Sequence, residues 1–172
     1  MGFYLNPPAD GFAEILKTGM YVDKSELISY TNQVLGTAKK LTCFSRPRRF
    51  GKSFAAKMLA AYYSKGADAR ELFENLKIAR DQDGHFEEHL NKYDVLFLDI
   101  TTFISISENV SEIVNDIQSD VIAELKEAFP ECIREDTKSL FRALVQINAK
   151  TRRKFFIIID EWDALFREAK TM

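Results

Sequence analysis

Apolar residues fall along this chain in two kinds of run. Short compact blocks stand at 41–44 ("LTCF"), 94–100 ("DVLFLDI") and 155–159 ("FFIII"). An unbroken block such as "FFIII" lacks the alternation of a half-solvated strand and fits a strand covered by helices on both faces. Longer stretches repeat at helical spacing. "DKSELISYTNQVLG" opens with Asp23 and Glu26 in capping-box spacing and closes at Gly36, which predicts a first helix. From Gly51, "KSFAAKMLAAYYSKG" places Phe54, Met58, Leu59 and Tyr62 at helical spacing and stops at Gly66. Asn109 and Glu112 are expected to cap a helix whose Ile113, Ile117, Val121 and Leu125 share one face, with Val114, Ile122 and Phe129 beside it, until Pro130 ends it. A last helix over about 138–149 is expected to bury Leu140, Phe141, Leu144 and Val145. The order strand, helix, strand, helices, strand predicts an α/β fold with a mostly parallel sheet and right-handed crossovers.

Composition narrows the picture. With 172 residues, 46% of them apolar, the chain can bury one sizeable core. It shows no internal repeat, low-complexity tract or linker, so residues 1–172 read as a single domain. Twenty-four basic residues against 26 acidic ones leave a net charge of -2, with no global positive field and no direct nucleic-acid signal. The start, "MGFYLNPPADGFAEIL", has neither a basic stretch nor a sustained apolar one. "FFIII" is far shorter than the roughly 20 residues of a membrane helix, so a cytoplasmic protein is expected. Cys43 and Cys132 belong to no C-x-x-C pair, which fits a reducing compartment; Cys43, inside an apolar run, reads as a small core residue.

The chemistry concentrates at "SRPRRFGKSF", residues 45–54. A phosphate-binding loop has the form G-x-x-x-x-G-K-[ST]. Gly51, Lys52 and Ser53 keep its end, while Arg46 stands where its first glycine belongs. The tripeptide follows an apolar strand and starts a helix, where backbone N–H groups and the helix dipole receive phosphate. Lys52 would reach the β- and γ-phosphates of ATP, and Ser53 would help hold Mg²⁺.

"IIIDEWD" supplies the second half. Asp160 and Glu161 close the most apolar strand, at the end where ligands collect in open α/β sheets. A Walker B element has this form: Asp160 binds Mg²⁺ and Glu161 activates the attacking water.

At these residues the chain resembles the predicted AAA-ATPase family of bacterial proteins, an AAA-ATPase-like branch of the P-loop NTPases. The likeness runs through "YVDKS" (21–25), "SRPRRFGKS" (45–53), "LFENLKI" (72–78), "HLNKYDVLFLDI" (89–100) and "IIIDEWDAL" (157–165). The resemblance implies a three-layer P-loop sandwich whose sheet is truncated here after the Walker B strand. It marks Arg46 as a family variant, with Arg46, Pro47, Arg48, Arg49, Phe50, Gly51, Lys52, Ser53 and Phe54 along the nucleotide. Pro47 would stiffen a turn otherwise made with glycine, and the arginines would contact phosphates or else form a solvated basic edge. The implied activity is Mg²⁺-dependent ATP hydrolysis in the complete protein, with a homo-oligomer or a downstream nuclease-type domain as partners. A nucleotide-gated binding module with little turnover is the alternative. The resemblance places "YVDKS" on the adenine side, while its local chemistry allows Asp23 as a helix cap with Tyr21 and Val22 as a hydrophobic staple. "HFEEH" at 85–89 matches an inverted zinc-protease pattern, but its polar surroundings and lack of a third ligand predict a solvated helix.

Overall fold

The computed structural model describes residues 2–45, 50–106, 112–164 and 166. In chain order its elements are α1 (Asp10–Lys17), α2 (Glu26–Val34), α3 (Lys52–Tyr63), α4 (Arg70–Phe73), α5 (Lys77–Arg80), α6 (Phe86–His89), β1 (Asp94–Asp99), α7 (Ile100–Ile106), α8 (Ile113–Ala128), α9 (Leu140–Thr151) and β2 (Phe155–Asp160). β1 and β2 pair in parallel, in a register that runs from Asp94 opposite Phe155 to Asp99 opposite Asp160. The other edge of β1 is met by the N-terminal segment: Leu5 bridges Leu96 in antiparallel sense, and Phe97 N–H donates to Tyr4 O at 2.9 Å.

Strand alternation then divides the interior. Leu96 and Leu98 go to one face, where they bury with Ile113, Ile117, Val121 and Leu125 of α8 and with Ala143 and Ile147 of α9. Val95 and Ile158 go to the other, against Met58, Leu59, Tyr62 and Tyr63 of α3 and against Phe12, Ile28 and Phe73. The chain is thus mixed α/β with helices on both faces of a small parallel sheet.

That sheet is narrower than the apolar runs predict. Among the described residues it has two strands, and "LTCF" is not one of them. Leu41 is 89% exposed and Cys43 is exposed too, against the expectation of a core cysteine. An apolar run becomes a strand only where a neighbour's N–H and C=O groups face it, and no described strand stands beside residues 41–45.

Some helix faces also differ from expectation. Phe54, Val114, Phe141 and Val145 are all about half exposed or more. On α9 the core is met by Ala143 and Ile147; Phe141 and Val145 lie two positions from Ala143, roughly 200° around the helix from it. Asp23 and Glu26 form no capping box. Asp23 accepts the N–H groups of Ser25 and Lys77, both at 2.8 Å, while Glu26 pairs with Lys77 Nζ at 2.9 Å. The start of α5, distant in sequence, claims both carboxylates. Glu112 precedes α8 without a side-chain cap, and Asn109 lies outside the described residues. Four helices come without a sequence expectation, the single-turn α4 and α5 and the longer α1 and α7. α1 buries Phe12 and Ile15. α7, "ITTFISI", is rich in β-branched residues that disfavour helix, yet Asp99 starts it by accepting Thr101 N–H at 2.9 Å and Thr101 Oγ1–H at 2.6 Å.

Candidate functional site

Gly51 is the residue before α3 and holds φ +75°, ψ +32°, the left-handed conformation. A side chain there would be strained by that backbone, and its Cβ would lie 2.9 Å from Lys24 Nζ. Lys52 and Ser53 follow as the first two residues of α3, a helix with no side-chain cap and no acid in its first turn. Its N-terminal N–H groups and the positive end of its dipole are therefore presented without a competing carboxylate from the helix itself.

β2 sets the opposite wall. Ile158 faces α3, so Asp160, two residues on, faces it too. The Ser53 hydroxyl lies near enough to the Asp160 carboxylate to favour its charged form, and Glu161 N–H donates to Asp160 Oδ1 at 3.0 Å. Sequence reading places Ser53 and Asp160 on separate elements more than a hundred residues apart; the fold brings them close together. Asp160 is 7% exposed. Burial, first of all, raises its pKa above the usual carboxylate value; the nearby Ser53 hydroxyl and the Glu161 N–H oppose this, and the negative charges of Asp99 and Glu161 add to it.

Asp99 was missed as a site residue. It stands directly opposite Asp160 in the strand register, and the available signal was that the apolar run "VLFLD" ends in an acid as "FIIID" does. Glu161 has φ +51°, a strained value for a residue with a side chain, which turns the chain sharply out of strand direction just past Asp160.

Beside Gly51 lies an open hollow of about 310 Å³ lined by Met20, Tyr21, Val22 and Lys24 on one side and Phe50, Gly51, Phe54 and Ala55 on the other. Phe50 and Phe54, 61% and 47% exposed, thus form its apolar wall rather than packing into the core. The "YVDKS" segment is fastened around it. Tyr21 O–H bonds Met58 Sδ at 3.2 Å, Ser25 Oγ accepts Ile78 N–H at 3.1 Å, and Lys24 Nζ donates to Phe50 O at 2.6 Å.

Arg46, Pro47, Arg48 and Arg49 lie outside the described residues. His85 and His89 of "HFEEH" stand at the start and end of α6, where His85 Nδ1 is 3.1 Å from Glu88 and His89 Nδ1 is 2.5 Å from Tyr93 Oη. Among the described residues no three His, Cys, Asp or Glu side chains are grouped to hold a metal by themselves, and no helix is long and apolar enough to cross a membrane. The Ser53–Asp160 pair offers two hard oxygen donors, the kind Mg²⁺ takes when substrate phosphates and water complete its shell.

A family model described as a predicted AAA-ATPase matches residues 9–171. No curated protein and no solved structure matches significantly.

Proposed function

The chain belongs to the predicted AAA-ATPase family, and on that premise we propose that it binds MgATP at the start of α3 and forms part of an enzyme that hydrolyses the β–γ bond. The observation that carries this reading is the closeness of Ser53 to Asp160, whose pKa the serine hydroxyl helps to lower. It brings the hydroxyl that follows Gly51-Lys52 to the acid that ends the apolar strand, the pairing a shared Mg²⁺ needs.

In this reading the N–H groups at the start of α3 and the Lys52 ammonium bind the β- and γ-phosphates. Ser53 and Asp160 hold Mg²⁺, which when bound neutralises charge on the phosphate oxygens. The hollow between "YVDKS" and Phe54 takes the base, an assignment supported by its apolar walls and by its place beside Gly51. Glu161 orients the attacking water and accepts its proton. Its left-handed backbone supports a role in function, since strain of this kind collects at working sites.

The test is titration of the chain with ATP, with and without Mg²⁺, beside Lys52→Ala. Charge-assisted bonds to phosphate are strong, so the variant should lose about 2 to 5 kcal/mol of binding. Equal affinities for the two proteins would remove the assignment.

A further inference from the structure

We propose that Lys24 is a positioning residue for the phosphate-binding turn, a role that rests on the nucleotide reading of Gly51–Ser53. Its ammonium donates to the carbonyl of Phe50 at 2.6 Å, the residue just before the left-handed Gly51 that starts α3. The same ammonium lies 2.9 Å from where a Cβ on Gly51 would fall. Gly51 therefore serves twice, once for its backbone and once by leaving room for the lysine.

Tyr21, Asp23 and Ser25 of the segment are committed to the fold. Tyr21 packs its ring edge-on against Phe12 and bonds Met58, Asp23 holds Ser25 N–H and Lys77 N–H, and Ser25 is fully buried against the start of α5. Among the described residues, Lys24 is the one of the five that hydrogen-bonds the turn before α3. Its backbone is anchored by its own N–H donating to Tyr21 Oη at 3.3 Å, so the side chain starts from a fixed point.

The turn needs such a restraint. Residues 41–45, which lead towards it, carry no strand pairing, so no sheet ladder fixes that stretch. An ammonium also has three donors, and among the described residues Lys24 spends one, on Phe50 O, and forms no salt bridge. It thus holds the turn while adding positive charge beside Lys52. Because Lys24 is exposed, replacing it leaves both hydrophobic clusters whole.

The experiment compares wild type, Lys24→Met, Lys24→Arg and Lys52→Ala. Affinities for MgATP and for magnesium tripolyphosphate are measured by competition with a fluorescent ATP analogue, together with each protein's Tm. We expect Lys24→Met to weaken ATP and tripolyphosphate alike by roughly 5- to 20-fold at unchanged Tm, the scale of one exposed charge-assisted bond, and Lys24→Arg to restore most of it. Wild-type affinity in Lys24→Met, with Lys52→Ala impaired, overturns the role of Lys24 and leaves the nucleotide site standing. Wild-type affinity in Lys52→Ala overturns the site itself. A loss confined to ATP, sparing tripolyphosphate, assigns Lys24 to the base and overturns its role at the phosphate turn, and a loss that merely follows a lowered Tm does the same.

Discussion

Replacing Asp160 by asparagine should make the nucleotide-free chain more stable while removing its response to Mg²⁺. Asp160 and Asp99 face each other across adjacent parallel strands, whose axes lie about 4.8 Å apart. Two like charges at about 5 Å repel by roughly 1 to 3 kcal/mol for effective dielectric constants between those of water and of a protein surface, and Glu161 adds charge of the same sign. Asparagine keeps an oxygen for the bond from Glu161 N–H, though an uncharged acceptor is weaker by about 1 kcal/mol. The net gain is then about 0.5 to 2 kcal/mol, or roughly 2 to 6 °C in Tm for a chain of this size. The sign of the pH dependence follows from the raised pKa of Asp160. Its ionised form is disfavoured in the folded state, so the wild type loses stability as pH rises through the folded-state pKa. Below the unfolded-state pKa the penalty is absent. The advantage of Asp160→Asn should therefore be full at pH 7 and shrink towards pH 4. Thermal unfolding followed by circular dichroism across that range measures it, with and without MgATP, which should stabilise the wild type alone. A Tm at or below wild type at pH 7, or a gap that does not change with pH, would refute the account of three crowded carboxylates.

How much of this was legible in the sequence depends on the range of the interaction that decides each feature. Gly51, Lys52 and Ser53 sit at the start of a helix, and Asp160 at the end of a strand, because the local signals there agree: an apolar run, a breaker, then helical spacing. A mostly parallel sheet was expected from unbroken apolar blocks separated by helices, and β1 and β2 do pair in parallel. What failed was decided by partners far along the chain. Asp23 and Glu26 have the spacing of a cap, but the free N–H groups and the lysine at the start of α5 take their carboxylates. "LTCF" has the composition of a strand, but composition cannot supply the neighbour whose backbone a strand requires. Phe54 has the spacing of a core residue, yet it lines the hollow that faces Val22. Asp99 is the instructive omission. The same rule that selected Asp160, an acid closing an apolar strand, applied to it unchanged, and only the strand register shows the two acids to be neighbours.

The other expectations follow from single residues. Glu161→Gln should retain ATP binding and slow turnover by roughly 10²- to 10⁴-fold in a protein competent to hydrolyse ATP; phosphate release at the parental rate would move the water-activating role elsewhere. Gly51→Ala should weaken ATP binding and also lower Tm, since alanine costs about 1 kcal/mol or more at a left-handed position and its methyl displaces the Lys24 ammonium; an unchanged Tm would contradict the strain. Asp94→Ala tests the far end of the sheet. Asp94 is 5% exposed and meets Lys65 Nζ at 2.5 Å, Arg153 at 3.6 Å and Asn6 Nδ2 at 3.1 Å. Its loss leaves two cations facing each other and frees Asn6, whose Oδ1 also accepts Val95 N–H at 2.8 Å, so the N-terminal segment loses its hold on the edge of β1. Removing one partner of a buried ion pair costs about 3 to 5 kcal/mol, and the half-exposed lysine and arginine bring that down to about 2 to 3. Denaturant unfolding should register this loss while ATP affinity, measured under conditions where the variant is folded, stays at the wild-type value. The proposed nucleotide site lies at the opposite ends of both strands, and a variant that unfolded normally yet lost ATP would mean that Asp94 acts on the site itself.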